Sequence, residues 1–388
     1  MNIKELFTID SAVDHITAKA EQAAAELKEM DALLNEIQKA DRSLSRSDLD
    51  RIAQNAFDLA AKYGRNVTDY LHTVLEASRA GYKNAEEIAA LSLTLQSACD
   101  ISEELAGQYL MAADKAFQLN GSVEELSRTL DGACTLSDRH AVSMTELAEG
   151  LSAVSSQAAA SGLDIKETTS ALAALLSVTG QSGAETGNAF GNILMYLQQI
   201  TGEAGGKEIP AEALERFRNA CTGLGVSLQE MKNGAMQLKE PMQLLRELSE
   251  AYVSLAETDA GRTGLLDVFG TDSSQAEALD GLLKNFGLYE EMLQDYAGGT
   301  GTLAAEAAKA ADTWEGSLNR LSAIWNETVG NLLDSEAVAA AVNSLGDLLS
   351  VISSITDKAG VLGTLGLGAG LYSGLTNTGK RRMSVRIS

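Results

Sequence analysis

The sequence predicts an all-α protein, and three observations carry that expectation. Proline occurs only at Pro210 and Pro241, each just ahead of an apolar-periodic run, AEALERF and MQLLREL, where a first helical turn accepts it. The chain is 45% apolar but only 5% aromatic. That profile is set by Ala and Leu, which favour helix. Third, a Ser or Asp followed three residues later by Glu recurs at Ser122/Glu125, Ser143/Glu146, Asp164/Glu167 and Ser182/Glu185. Each pair has the form of a capping box, in which the first side chain accepts from the N3 amide and the Glu reaches back to the N-cap amide. The starts are 21, 21 and 18 residues apart. A multi-helix array of short capped helices is therefore expected, with an N-terminal coiled-coil helix and a Gly-rich apolar C-terminal segment.

The first element is that N-terminal helix, in a domain of residues 1–41. Leu6, Ile9, Val13, Ile16, Ala20, Ala23, Leu27, Met30, Leu34 and Ile37 follow one another at spacings of three and four with no Gly or Pro between them. This heptad seam predicts a continuous helix of about 48 Å whose apolar stripe is buried against a partner helix. An amphipathic helix on the chain's own body stays open, because Ala20 and Ala23 weaken the middle of the seam.

The polar stretch Arg42 to Ser47 ends this domain, and a helical core of residues 48–201 follows. Helices are expected near Asp48–Lys62, Thr68–Arg79, Ala85–Ala98, Glu103–Gln118, Val123–Ala133, Met144–Ser161, Ile165–Val178 and Gly183–Thr201. The turn signals YGRN, AGYKN, LNGS, ASGLD and TGQSG separate several of them. Within this core the stretch from Gly81 aligns without a gap on that from Gly162, an offset of 81, matching Glu86 to Glu167, Leu91 to Leu172 and Tyr109 to Phe190. Shared helical grammar is enough to produce so weak a repeat.

Gly-rich TGEAGGKE at Gly202 to Glu208 opens a second helical subdomain, residues 209–297. Its helices are expected near Ala211–Thr222, Pro241–Glu257, Gly261–Val268 and Gln275–Lys284. Between the first two, Asn233-Gly234 is the one place where a small hairpin fits. After a third Gly-rich hinge at Gly298 to Thr302, residues 302–357 carry long amphipathic helices. The first, Leu303 to Leu333, places Trp314, Leu318, Leu321, Trp325, Val329 and Leu332 on one face. Residues 358–388 are an apolar Gly-rich segment with a basic tail. Ala359 to Gly379 holds no charge and is long enough to span a bilayer, with Gly366, Gly370 and Gly374 at a spacing that lets membrane helices approach. Its seven glycines keep its hydrophobicity low, so a flexible or self-associating tail stays open beside a transmembrane helix.

Composition also narrows the chemistry. A net charge of −24 argues against nucleic-acid binding, which needs a basic surface, and would let DNA slide past without sticking. Cys99, Cys134 and Cys221 are odd in number and widely spaced, which reads as small buried hydrophobes in a reducing cytosol rather than a disulfide framework. His15, His72 and His140 are too scattered for a metal motif, and no catalytic, cofactor-binding or metal-binding residue is expected. The acidic N-terminus MNIKELFTID predicts no Sec-type signal.

From about Leu49 to Leu333 the chain resembles the core region of phage tail tape measure proteins. The blocks that carry the likeness are AAKYGRNVTDYLHTVLEASRAGYKNAEE, the run from NGSVEELSRTLDGACTLSDRHAVSMTELAEG to SALAALL, GNAFGNILMYLQQI, CTGLGVSLQEMKNGAMQLKEPMQLLRELSEAY, LLDVFG and DTWEGSLNRLSAIWNETVGNLL. Their order and spacing are more specific than any one of them. The resemblance implies a structural protein of a long-tailed phage or prophage, not an enzyme. Such a protein is made in the bacterial cytoplasm, lies inside the virion tail, templates tube length through its extended helices and leaves ahead of the DNA. It implies partners among tube and tail-assembly proteins, self-association as a trimer or hexamer, and contact of apolar segments with the host membrane. Family members are typically several times longer; even fully helical, 388 residues would reach about 580 Å. The competing reading is a membrane-active, pore-forming helical protein acting through Ala359 to Gly379.

Overall fold

The computed structural model describes residues 25–200, 209–232, 235–257, 259–270 and 273–311. The chain divides into two compact units, one of residues 34–321 and one of residues 1–33 with 322–388; only residues 25–33 of the second are described. The described residues are helical almost throughout, so the protein is all-α. Helix α1 covers residues 25–40. It is followed by α2 (Arg46–Tyr63), α3 (Val67–Arg79), α4 (Ala85–Cys99), α5 (Glu103–Phe117), α6 (Val123–Arg139), α7 (Met144–Ala160), α8 (Ile165–Thr179), α9 (Gly183–Ile200) and α10 (Ala211–Gly223). Strands β1 (Gln229–Lys232) and β2 (Ala235–Leu238) then precede α11 (Pro241–Ser254), α12 (Ala260–Asp267), α13 (Ser274–Lys284), α14 (Phe286–Gly298) and α15 (Thr302–Ala311).

In the unit of residues 34–321 ten of the helices form three rows, which meet at one end where α13 also packs on α9. Helices α4, α6 and α8 form the middle row. Helices α3, α5, α7 and α9 cover one side, and α13, α14 and α15 the other. The sequence explains why α4 and α8 are central. Neither carries a charged residue after its first turn, and burial is continuous over six residues of α4, Ser92–Ser97, and nine of α8, Thr168–Leu176. A helix apolar all round must be covered on every side.

The expected capping boxes form at Ser143/Glu146 and Asp164/Glu167, and both hydrogen bonds are also present at Ser182/Glu185. At Ser122 only half the box is made: its hydroxyl accepts from the Glu125 amide, but the Glu125 carboxylate takes Arg128 instead, at 2.7 Å. An unexpected box starts α2, with Asp48 serving as the acid for Ser45. The hairpin strands are also as expected: β1 and β2 pair antiparallel, with Lys232 opposite Ala235.

Two helix boundaries depart from the sequence expectation. Helix α6 continues six residues past Ala133, to Arg139, with Leu136 buried in the added stretch; Gly132 within it leaves room for the Tyr296 ring, which would lie 2.6 Å from a Cβ there. Helix α14 was not foreseen. It has no side-chain cap, and Asn285 both ends α13 and starts α14. Burial of the stripe Phe286, Tyr289, Met292 and Tyr296 holds it in place of local signals.

The offset of 81 has a structural counterpart. Gly81 and Gly162 are left-handed at φ 89° and 83°, and the next amides, Tyr82 and Leu163, reach Ala77 and Ala158 carbonyls at 3.0 and 3.1 Å. Both are Schellman turns, and α3–α4 and α7–α8 leave them alike. The match then slips by one residue. The left-handed caps are Asp100 and Gly180, and the next N-cap serines are Ser102 and Ser182, an offset of 80. Tyr109 and Phe190 are both fully buried, but they stand seven and eight residues after their caps and are not equivalent.

The tightest interface is α7 on α9. A Cβ at Gly183 would lie 2.2 Å from the Glu146 carbonyl oxygen, and one at Gly187 2.3 Å from that of Gly150. With Gly191 against Val154, these glycines stand four apart and let two backbones touch. The spacing that reads as membrane-helix packing at Gly366, Gly370 and Gly374 thus serves close packing within the folded body here.

Candidate functional site

Of the seam residues, Leu6, Ile9, Val13, Ile16, Ala20 and Ala23 lie outside the described residues, and Leu27, Met30, Leu34 and Ile37 fall on α1. Met30 and Ile37 are buried, as is Leu33, while Leu27 and Leu34 are half-buried. Beside Ile37, Glu36 pairs with Lys39 at 2.7 Å and with Arg79 of α3 at 3.2 Å. The Lys39 hydrogen bond, reinforced by Arg79, holds the Glu36 carboxyl below its ordinary value. The end of α1 is thereby tied to α3. Gly366, Gly370, Gly374 and the run Ala359 to Gly379 lie outside the described residues, as do Trp314, Leu318, Trp325 and the rest of that face. Among the described residues, no helix is long and apolar enough to cross a membrane.

Two clusters carry titratable groups. Glu103, in the first turn of α5, is grouped with Asp69, His72 and Glu76 of α3 and with Glu104. Burial pushes its carboxyl up to about 7 against the opposing pull of His72. Burial raises Asp69 as well. This cluster can hold a proton between α3 and α5 up to near-neutral pH. The second cluster lines a cavity of about 510 Å³ bordered by α11, α12 and α13. There the Arg262 guanidinium lies 4.2 Å over the Tyr252 ring and donates to the Leu255 carbonyl at 3.1 Å. The Tyr252 hydroxyl donates to Asp280 at 2.6 Å, and Lys284 pairs with the other oxygen of that carboxylate at 2.7 Å. Arg262, Asp280 and Lys284 are all partnered within the fold, and through Tyr252 the first two fasten the end of α11 to α12 and α13. Among the described residues, no group of three or more His, Cys, Asp or Glu side chains is placed to hold a metal ion.

Two further polar constellations dock the outer layer onto α6. The Asp131 carboxylate accepts the amides of Gly301 at 2.9 Å and Leu303 at 3.0 Å, so a residue of α6 caps the N-terminus of α15 from 170 positions away. Thr135 and Thr302 hydroxyls meet at 2.9 Å beside it. At the other end of α6, Asp295 of α14 accepts from Arg139 and from His140, the latter at 2.9 Å. Burial alone would raise the Asp295 carboxyl, but these two hydrogen bonds and charges outweigh it and hold it below its ordinary value. Nothing near residue 131 in the sequence announces a cap for residue 302, so sequence reasoning missed it. The Gly183, Gly187 and Gly191 stripe was readable by its spacing and was not read. These contacts join helices that are far apart in the chain.

A family model described as phage-related minor tail protein matches residues 53–270, from within α2 to just past α12. No curated protein and no solved structure matches the chain.

Proposed function

Because the chain belongs to the phage-related minor tail protein family, with a structural role in the phage tail, we propose the finer assignment of a tape measure core. In this reading it helps template the length of the tail tube and is held in the tail lumen by contacts with tube and assembly proteins. The family match over more than half the chain carries the reading. Two further features support it. A helix over Leu6 to Ile37, as the heptad seam predicts, would have the constant rise of about 1.5 Å per residue that a ruler needs, and its apolar stripe calls for a partner helix, as in a homo-oligomer. The charge of −24 would keep DNA from adhering inside a tube. The layered body folds back on itself at every turn, so measuring is assigned to the seam and the body serves as a hub.

The test is electron microscopy of particles whose chain lacks residues 6–37. The expected result is a tail shorter by about 48 Å, the rise of the deleted helix; tails of unchanged length overturn the seam as a ruler. A second reading rests on the charge-free run Ala359 to Gly379: a membrane-active segment that would act on the host envelope. Dye leakage from liposomes, compared for the full chain and one ending at Lys358, decides it, since equal leakage removes the run from any membrane role.

A further inference from the structure

We propose that Cys99 and Cys134 are a disulfide-forming pair that crosslinks α4 to α6 when the protein meets an oxidising medium. The two residues are 35 apart in sequence, yet their sulfurs stand 3.0 Å from one another. That is about 1 Å beyond the length of an S–S bond. Both sulfurs are carried on helices fixed by other bonds. Two residues before Cys99, the Ser97 hydroxyl bonds the carbonyls of Tyr63 and Ala307. Cys134 lies between Asp131 and Thr135, the residues that hold the start of α15. Closing the bond therefore asks for a small side-chain rotation rather than a loop movement.

The two thiols differ in a way that orders the reaction. Cys99 is partly exposed at the end of α4, beside the exposed Asp100, whereas Cys134 is only 1% exposed. The neighbouring sulfur and burial push the Cys134 thiol far up. Cys99 is thus the entry point. Its thiolate attacks one sulfur of a low-molecular-weight disulfide, forming a mixed disulfide and expelling one thiolate. Cys134 then gives up its proton and attacks the Cys99 sulfur, expelling the second thiolate. Two electrons pass to the reagent, and the two protons lost by the cysteines convert its halves to free thiols. A tail protein made in a reducing cytosol and carried outside the cell passes through both regimes. The crosslink joins two helices of the middle layer and restricts the unfolded chain. It does not depend on the tape-measure reading.

The probe is glutathione disulfide, applied to the full chain. The expected product is lighter by about 2 Da, yields a linked peptide pair containing Cys99 and Cys134, and leaves Cys221 free. It melts roughly 5 °C or more higher, reversibly on adding a dithiol. Neither Cys99→Ser nor Cys134→Ala gives the linked pair. Cys99→Ser, at the part-exposed position, keeps the comparison valid should the buried substitution disturb folding. Free thiols at both positions after equilibration overturn the proposal, as does a stable glutathione adduct on Cys99 in the parent protein. A linked product that melts no higher overturns the claim that the bond locks the helices.

Discussion

Gly187 and Glu103 show how single residues carry this fold. A Cβ at 187 would meet the Gly150 carbonyl oxygen at 2.3 Å, and backbone cannot step aside as a flexible side chain can. Gly187→Ala is expected to cost about 3 kcal/mol, read from denaturant midpoints, with Gly223→Ala as the control because no atom lies near its Cβ position. Glu103 gives the pH dependence. Its folded carboxyl is raised from 4.5 to about 7, so the folded state binds that proton more tightly than the unfolded one. The contribution to stability is therefore fully present below about pH 4.5 and is lost as pH rises through 7. Glu103→Gln, which keeps the neutral shape, should melt like the parent in acid and be more stable near pH 8, by on the order of 1 kcal/mol. Thermal melts at the two pH values check it, and equal stability near pH 8 would show that Asp69, His72, Glu76 and Glu104 absorb the charge. The four-residue spacing of Gly183, Gly187 and Gly191 was legible beforehand, but neither the backbone that Gly187 meets nor the surroundings of Glu103 were. A glycine in a helix and a glutamate in a first turn are ordinary until the opposing backbone or the neighbouring carboxylates are known.

At the scale of elements, most of the structure was legible because its signals are local. Caps, prolines and period 3.6 placed nearly every described helix to within a few residues, and Asn-Gly placed the hairpin. Where the reading failed, a distant group had replaced a local one. Helix α14 lacks a cap of its own and stands on the burial of Phe286, Tyr289, Met292 and Tyr296; the start of α15 was read to within one residue, but the Asp131 cap that holds it was not. The half-made box at Ser122 provides a test. Glu146→Ala removes a carboxylate that bonds the Ser143 amide and hydroxyl, at 3.0 and 2.7 Å, and should cost about 1 kcal/mol. Glu125→Ala removes only an exposed pair with Arg128 and should cost a few tenths. Chemical denaturation of the two variants measures the difference, and equal costs would mean that the box adds nothing beyond its first hydrogen bond.

For the whole molecule, the layering makes a prediction that the family match alone does not. The matched region ends at Gly270, yet α8 is covered by α13 and α14, and α4 by α15. A fragment of residues 53–270 should expose those faces, bind a hydrophobic dye several-fold more strongly than residues 41–311, and unfold without a sharp transition. Residues 41–311 should unfold cooperatively. A cooperative melt of the shorter fragment would show that the outer layer is dispensable. The sequence by itself determined that the chain is helical, where its helices start, where its hairpin turns and which family it resembles. These follow from interactions within a few residues, whose geometry is fixed by the backbone. Only the tertiary structure decided that α7 and α9 touch through glycine, that Asp131 caps a helix 170 residues on, and that two of three scattered cysteines meet. Each joins groups far apart in the chain; the glycine spacing signals a close approach, but which distant partner is met is set by how the layers stack and is not written in either local sequence.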